Sequence, residues 1–308
     1  MKSHLKRLLH GMGVPRYMFY FIGSWRFFFL DLPKFIVYTI VDAAFLFLER
    51  HTTARRYQVA YGADLRRIPY FLRRRGGDAW HGQWAYRIGL WYGIMHRFLY
   101  PKRDAVIVDV GCATGIAAIS AEPFVSGGGK YIGIDIDSVN TDFCSRHYNA
   151  SYFSFIHHPV YNAMYEETQP HTLVPWPIVG GCADAALALS VWTHMNERDA
   201  RFYFKEIARI LKPGGLAFVT FFLLDWAHEA ANTAETFPLK RGSVLMHGSR
   251  DWWSILGHTV PEIAVGITEQ GIRTLCADTG LFVREAFPGY WKGELGLSGQ
   301  DLIIFEKR

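Results

Sequence analysis

From Asp104 to the C-terminus, short apolar runs alternate with segments of helical period, and glycine- or proline-marked turns separate them. This alternation leaves few folds open. Ala105–Val110, Lys130–Asp135, Tyr152–Ile156, Ala183–Ser190, Leu216–Phe222, Leu281–Glu285 and Asp301–Phe305 read as strands. Thr114–Glu122, a segment capped by Ser138 and ending at Tyr148, one capped by Asn196 and ending at Leu211, and Thr268–Thr279 read as helices. Strands this apolar, each followed by a helix, predict an α/β fold. The expected architecture is a Rossmann-like, mostly parallel sheet with helices on both faces. No internal repeat or low-complexity stretch competes with that reading.

The first crossover is the most informative. Residues 105–115 read AVIVDVGCATG. A core strand needs neither the charge of Asp109 nor the bare backbone of Gly111 and Gly115. In an open α/β sheet, however, ligands bind beyond the carboxyl ends of the strands. There glycine opens backbone angles closed to other residues, and a helix start offers unpaired N–H groups. Asp109 would repel a diphosphate and attract a cation. Asp135, at the end of the second strand, is placed to accept bonds from two ribose hydroxyls. Together they mark a site for a nucleoside-type ligand.

Four segments in order, DVGCATG, YIGIDID, ALSVWTHM and EIARILKPGGLAFVTFFLLD, resemble the motifs of class I S-adenosylmethionine-dependent methyltransferases. The resemblance covers residues 95–308 and is greatest to bacterial members of the type 11 and 12 group. It implies a seven-stranded sheet whose last strand is antiparallel. It also implies that Asp109, Gly111 and Gly115 border the methionine part of the cofactor, with Asp135 on the ribose. Cys112, Ile136 and Ser190 complete the expected cofactor wall. Relatives often carry an aspartate after the third strand, near the adenine. This chain has Pro159 there, so His158 or the main chain at Cys182-Ala183 must substitute.

Methyl transfer from a sulfonium depends on alignment and exclusion of water, and an oxygen or nitrogen acceptor also needs a base. His194, after the fourth strand, is the leading candidate, although a histidine there can equally fix the loop. His157 and His158 are adjacent, so in a strand only one can face the cofactor. Tyr161, Trp192, Asp225, His228, Tyr290 and Trp291 are candidate acceptor contacts, and 224–266 reads as a lid or substrate insertion. No metal-ligand spacing is present, and none is expected to be needed.

Residues 1–78 have a different character. Tyr17–Leu30 and Phe35–Leu48 are strongly apolar but too short to span a bilayer. Residues 1–103 carry 18 Lys and Arg against 5 Asp and Glu, a balance of +13, whereas the rest of the chain is acidic. Two readings stand: buried helices that cap the domain, or helices lying in the interface of an anionic membrane. The membrane reading is preferred. It implies a cytoplasmic enzyme associated peripherally with the inner membrane, whose acceptor is amphiphilic: a lipid, a lipid-linked sugar or a glycan intermediate. Nucleic acid is not expected, because the aromatic residues form solid blocks instead of interleaving with the basic ones. The four cysteines lack CxxC spacing and no signal peptide precedes them, which fits reduced thiols. Three alternatives remain: an NAD-dependent oxidoreductase, a non-catalytic cofactor-binding module, and a membrane-associated scaffold.

Overall fold

The computed structural model describes residues 32–52, 69, 81–148, 150–163, 165–166, 168–224, 244–245, 250–254, 261–292 and 295–308. Strands β1 (Val106–Val110), β2 (Lys130–Asp135), β3 (Phe153–His157), β4 (Ala183–Ala188) and β5 (Leu211–Leu224) pair in parallel. Their order is β3-β2-β1-β4-β5. The last strand, β10 (Asp301–Lys307), runs antiparallel to β5, and β9 (Leu281–Phe287) pairs antiparallel with its far edge. This is the seven-stranded arrangement that the resemblance implies. Strand order reverses between β1 and β4, so a crevice opens at their carboxyl ends.

Each central strand is buried on both faces, and its side chains alternate between two cores. Ile107, Ala185 and Leu187 face α2 (His81–Leu99), α3 (Ile116–Val125) and α4 (Ser138–His147). Val108, Ala186 and Ala188 face α5 (Glu197–Ile210) and α6 (Glu269–Thr279). β4 is mostly alanine because helices approach it from both sides. Larger residues around it fill the space: Phe204, Phe218 and Phe305 are fully buried, each contributing about 1.5–3 kcal/mol by transfer from water.

Local signals set the helix ends. Asn196 accepts from Asp199 N–H and Thr268 from Gly271 N–H, and Gly280 ends α6 in the left-handed region. The cap of α4 differs from the expected one. Asp137, not Ser138, accepts from Val139 N–H, because the chain leaves β2 one residue earlier in extended form.

The segment expected as an insertion contains sheet. β5 continues past Phe222, and β8 (Val265–Thr268) pairs with its extension in parallel. β7 (Trp252–Ser254) and β6 (Val244–Leu245) add antiparallel strands beyond it. Three strands this short give no period long enough to read from sequence.

On the N-terminal side, α1 (Leu32–Thr52) contains the second apolar block, with Pro33 in its first turn, where a missing N–H is harmless. Leu46 of α1 packs on Trp84 of α2, both fully buried, beside Ile88, Ile116 and Ile119. Asp42 is also buried. On the outer side, Ile36, Val37, Ile40, Phe47 and Leu48 are each about half exposed or more. Among the described residues no helix is long and apolar enough to cross a membrane. Tyr17–Leu30 and the arginines between 55 and 75 lie outside the described residues. The aromatic stripe of α2 is core: Trp84, Trp91 and Met95 are buried.

Candidate active site

A cavity of about 710 Å³ lies over the carboxyl ends of β1, β2 and β4. Its floor is the turn after β1. Gly111 N–H and Cys112 N–H both donate to Ile134 O, at 2.8 and 3.0 Å, which folds the turn back over β2. Gly111 has φ 71°, and a Cβ there would lie 2.6 Å from Val191 Cγ2. Ala113 takes φ 45°, a left-handed conformation unusual for a residue with a side chain. Asp135 holds this geometry. Its Oδ2 accepts from Ala113 N–H at 2.8 Å; its Oδ1 accepts from Asp137 N–H at 2.9 Å and Asn140 Nδ2 at 3.2 Å. Three of its four lone-pair sites are thereby used, so the residue organises the turn and keeps one acceptor site, on Oδ2, for a ligand hydroxyl.

Asp109 is 2 % exposed and accepts a short hydrogen bond from the Tyr131 hydroxyl. Burial raises its pKa to about 7, against the lowering effect of the Tyr131 bond. Without a counter-charge this group therefore titrates near neutrality. A bound cation favours the charged form, so cationic ligands should bind with release of a proton near pH 7 and progressively more weakly as pH falls below it. Calorimetry with S-adenosylmethionine in buffers of different ionisation heat measures this release. Asp109→Asn should abolish it.

The other end of the cavity is built by segments far apart in sequence. Ser190, at φ 60° just after β4, donates through N–H to Thr220 Oγ1 at 2.7 Å. The hydroxyls of Ser190 and Thr220 both donate to Gln300 Oε1, at 2.9 and 2.7 Å. The loop carrying Gln300 is fastened by the buried Asp301. Its carboxylate accepts from Gly289 N–H and Leu223 N–H, both at 2.9 Å, and from Trp291 Nε1 at 2.6 Å. Tyr290, Ser298 and Gly299 of the same loop also line the cavity.

His194 closes a single 3₁₀ turn, Trp192–His194, and lines the cavity. Its Nδ1 lies 3.1 Å from Glu262 O. A carbonyl only accepts, so Nδ1 carries the proton and Nε2 is the acceptor in the neutral ring. Burial lowers the His194 pKa below the ordinary histidine value, opposed by the carbonyls of Glu262 and Ile263. The ring is thus neutral at pH 7. Tyr165 meets it edge-on, with ring centres 5.6 Å apart.

The structure brings Asp109, Gly111, Cys112, Asp135, Ile136, His158, Tyr161, Ser190, His194 and Tyr290 to the cavity wall. Four expected residues are not on it. Gly115 is behind the turn, where its φ of 83° and the Tyr148 ring, 2.6 Å from where a Cβ would lie, both call for glycine. Cys182 precedes β4 at the opposite, amino edge of the sheet, with its N–H bonded to Ile210 O. Trp192 packs edge-on against Phe204 in the core. Trp291 is 2 % exposed, against Phe222 and Ala264. Both tryptophans follow the site in sequence but face inward. Asp225 and His228 lie outside the described residues. Of the two adjacent histidines, His157 is exposed and bonds Ile136 O at 3.2 Å, while His158 is buried.

Sequence reasoning missed Gln83 and Arg87 of α2, Trp176, Asp199, Tyr203, Thr220 and Gln300, all on the cavity wall. Gln83 and Arg87 carried a readable signal, the i,i+4 polar pair flanking the tryptophan stripe. The others reach the cavity through tertiary packing.

The chemistry of the wall fits S-adenosylmethionine. Buried carboxylates suit its cationic groups, the bent turn leaves main chain open to it, and Asp135 keeps one acceptor site, on Oδ2, for a ribose hydroxyl. Among the described residues there is no group of His, Cys, Asp and Glu that could hold a metal ion. A methyltransferase-domain family model matches residues 84–284. The ubiquinone biosynthesis O-methyltransferase of Parvibaculum lavamentivorans is 26 % identical over 183 residues, 59 % of this chain and 64 % of that protein; the match thus spans less than two thirds of the relative. A SAM-dependent methyltransferase from Methanosarcina mazei superposes with a TM-score of 0.45 at 20 % identity, covering 70 % of this chain and 96 % of that one. The Burkholderia thailandensis 1,6-didemethyltoxoflavin-N1-methyltransferase, solved with S-adenosylhomocysteine, gives 0.46 at 15 % identity, over 72 % and 78 %. With the family model covering most of the chain, and its crevice at the strand-order reversal, the protein belongs to the methyltransferase-domain family.

Proposed function

We propose that the protein O-methylates an amphiphilic acceptor (a lipid, a lipid-linked sugar or a glycan intermediate) at an anionic membrane surface. The observation that carries the oxygen chemistry is His194, a neutral imidazole on the cavity wall whose tautomer is set by Glu262 O and whose Nε2 can take a hydroxyl proton. S-adenosylmethionine supplies the electrophilic methyl group. Asp135 receives a ribose hydroxyl, Asp109 neutralises the cationic end, and the bent turn at Gly111 lets the ligand approach main chain. Ser190, Thr220, Gln300 and Tyr290 face the acceptor. The family match to an O-methyltransferase of ubiquinone biosynthesis supports oxygen as the accepting atom.

Support for the membrane surface comes from α1. Its inner face is committed to Trp84, while Ile36, Val37, Ile40, Phe47 and Leu48 stay exposed in the most basic part of the chain. An apolar helix face beside basic charge suits an anionic bilayer interface. The protein should float with phosphatidylglycerol vesicles, and Ile40→Asp with Phe47→Asp should release it while Tm stays unchanged. Flotation unaffected by the double substitution would remove the membrane from this reading. The acceptor is identified by incubating a membrane extract with enzyme and methyl-labelled cofactor, followed by mass spectrometry. Label found on nitrogen or carbon would exclude O-methylation, and label confined to water-soluble products would exclude an amphiphile.

A further inference from the structure

Pro159, just past the end of β3, has no side-chain acceptor for an adenine amino group. The cavity continues past Asp135 along the ends of β2 and β3, where Ile136, His158, Val160 and Trp176 line it. A nucleoside whose ribose lies on Asp135 must put its base there. His158 is fixed to the same strand end: its N–H donates to Asp135 O at 2.9 Å. The ring is only 6 % exposed, and its Nε2 lies 3.2 Å from Val174 O. Val174 O accepts only, so Nε2 carries the proton. In a neutral ring Nδ1 is then an acceptor, and it takes no hydrogen bond among the described residues. The carboxylates on this part of the wall are engaged elsewhere. Asp137 caps α4 through Val139 N–H, and Asp199 is bonded to Asn196 and His171.

We propose that His158 Nδ1 is the acceptor for the adenine amino group, a neutral imidazole in place of a carboxylate, and that it makes the site selective for a 6-amino purine. The inference rests on the cofactor reading above. Burial also lowers the His158 pKa, which keeps the ring neutral, with Glu206 acting in the opposite direction and His157 in the same one. Ile136 and Val160 supply apolar contact to the base but cannot distinguish an amino group from an oxo group. That distinction falls to Nδ1, which would face a lone pair if the purine carried oxygen at position 6.

The test is calorimetric binding of S-adenosylhomocysteine and S-inosylhomocysteine to the full-length protein. The wild type should bind the adenosyl compound at least about tenfold more tightly, a difference of about 1.4 kcal/mol. His158→Phe, which keeps the ring volume and removes the acceptor, should bring the ratio close to one. His158→Asn, whose amide can donate to Val174 O and still offer an oxygen, should retain most of the preference. An equal affinity in the wild type, or a preference that survives in His158→Phe, overturns the proposal. Should His158→Phe fail to fold, nitrogen chemical shifts of His158 in the wild type decide. A protonated Nε2 with an unprotonated Nδ1 that shifts on binding the adenosyl compound supports the assignment, and a protonated Nδ1 overturns it. Absence of binding by either compound refutes the cofactor reading itself, which separates the two failures.

Discussion

Asp135→Ala should weaken S-adenosylhomocysteine binding by about a hundredfold, or about 2.8 kcal/mol at a tenfold change per 1.4 kcal/mol. Two losses combine. The proposed bond to a ribose hydroxyl disappears, and a charged hydrogen bond is worth about 1.5–3 kcal/mol. Ala113 N–H, Asp137 N–H and Asn140 Nδ2 also lose their common acceptor, so the left-handed turn at Ala113 is no longer held in shape. Asp135→Asn separates the two effects, because its amide oxygen can still receive one of the backbone donors while the charge is gone. It should fall between wild type and the alanine variant in affinity, and nearer wild type in Tm. Calorimetry and thermal unfolding together make the comparison. A folded Asp135→Ala protein with undiminished affinity would show that the ribose lies elsewhere.

His194→Ala should lower turnover by about a hundredfold to ten-thousandfold, the range typical of a lost general base, while leaving S-adenosylhomocysteine affinity within about twofold. The pH profile gives the more specific sign. A base must be unprotonated to act, and burial lowers the His194 pKa, so the active form persists to lower pH than for a free histidine. The acidic limb of the turnover profile should therefore lie below the ordinary histidine range and vanish in the variant. Label transfer from the cofactor to the membrane-extract acceptor provides the rate. Turnover unchanged in His194→Ala would leave the ring the role of pinning the Pro261–Ile263 turn through Glu262 O.

The parallel sheet was legible because its determinants are local. β2 has the expected limits, Lys130–Asp135, and the caps at Asn196 and Thr268 are written in single side chains. One end of the cavity was legible for a related reason: Asp109, Gly111 and Asp135 fall at strand ends, and strand ends can be counted. The other end was not. Gln300 reaches Ser190 and Thr220 because β10 runs antiparallel beside β5, a pairing across 80 residues that no local period announces. Trp192 and Trp291 were misplaced because proximity in sequence to a site says nothing about which way a side chain points from a one-turn helix. β6, β7 and β8 were hidden in a long connection whose strands are too short to show alternation.

Asp301 gives the molecule a hinge point of a different kind. One carboxylate ties Leu223, Gly289 and Trp291 together, and through them the loop that presents Tyr290 and Gln300. The turn after β1 is held separately, by Asp135 and by Ile134 O. Residues between β9 and β10 can therefore be exchanged to reshape that end of the cavity while the turn after β1 keeps its form, provided the aspartate opening the last strand is kept.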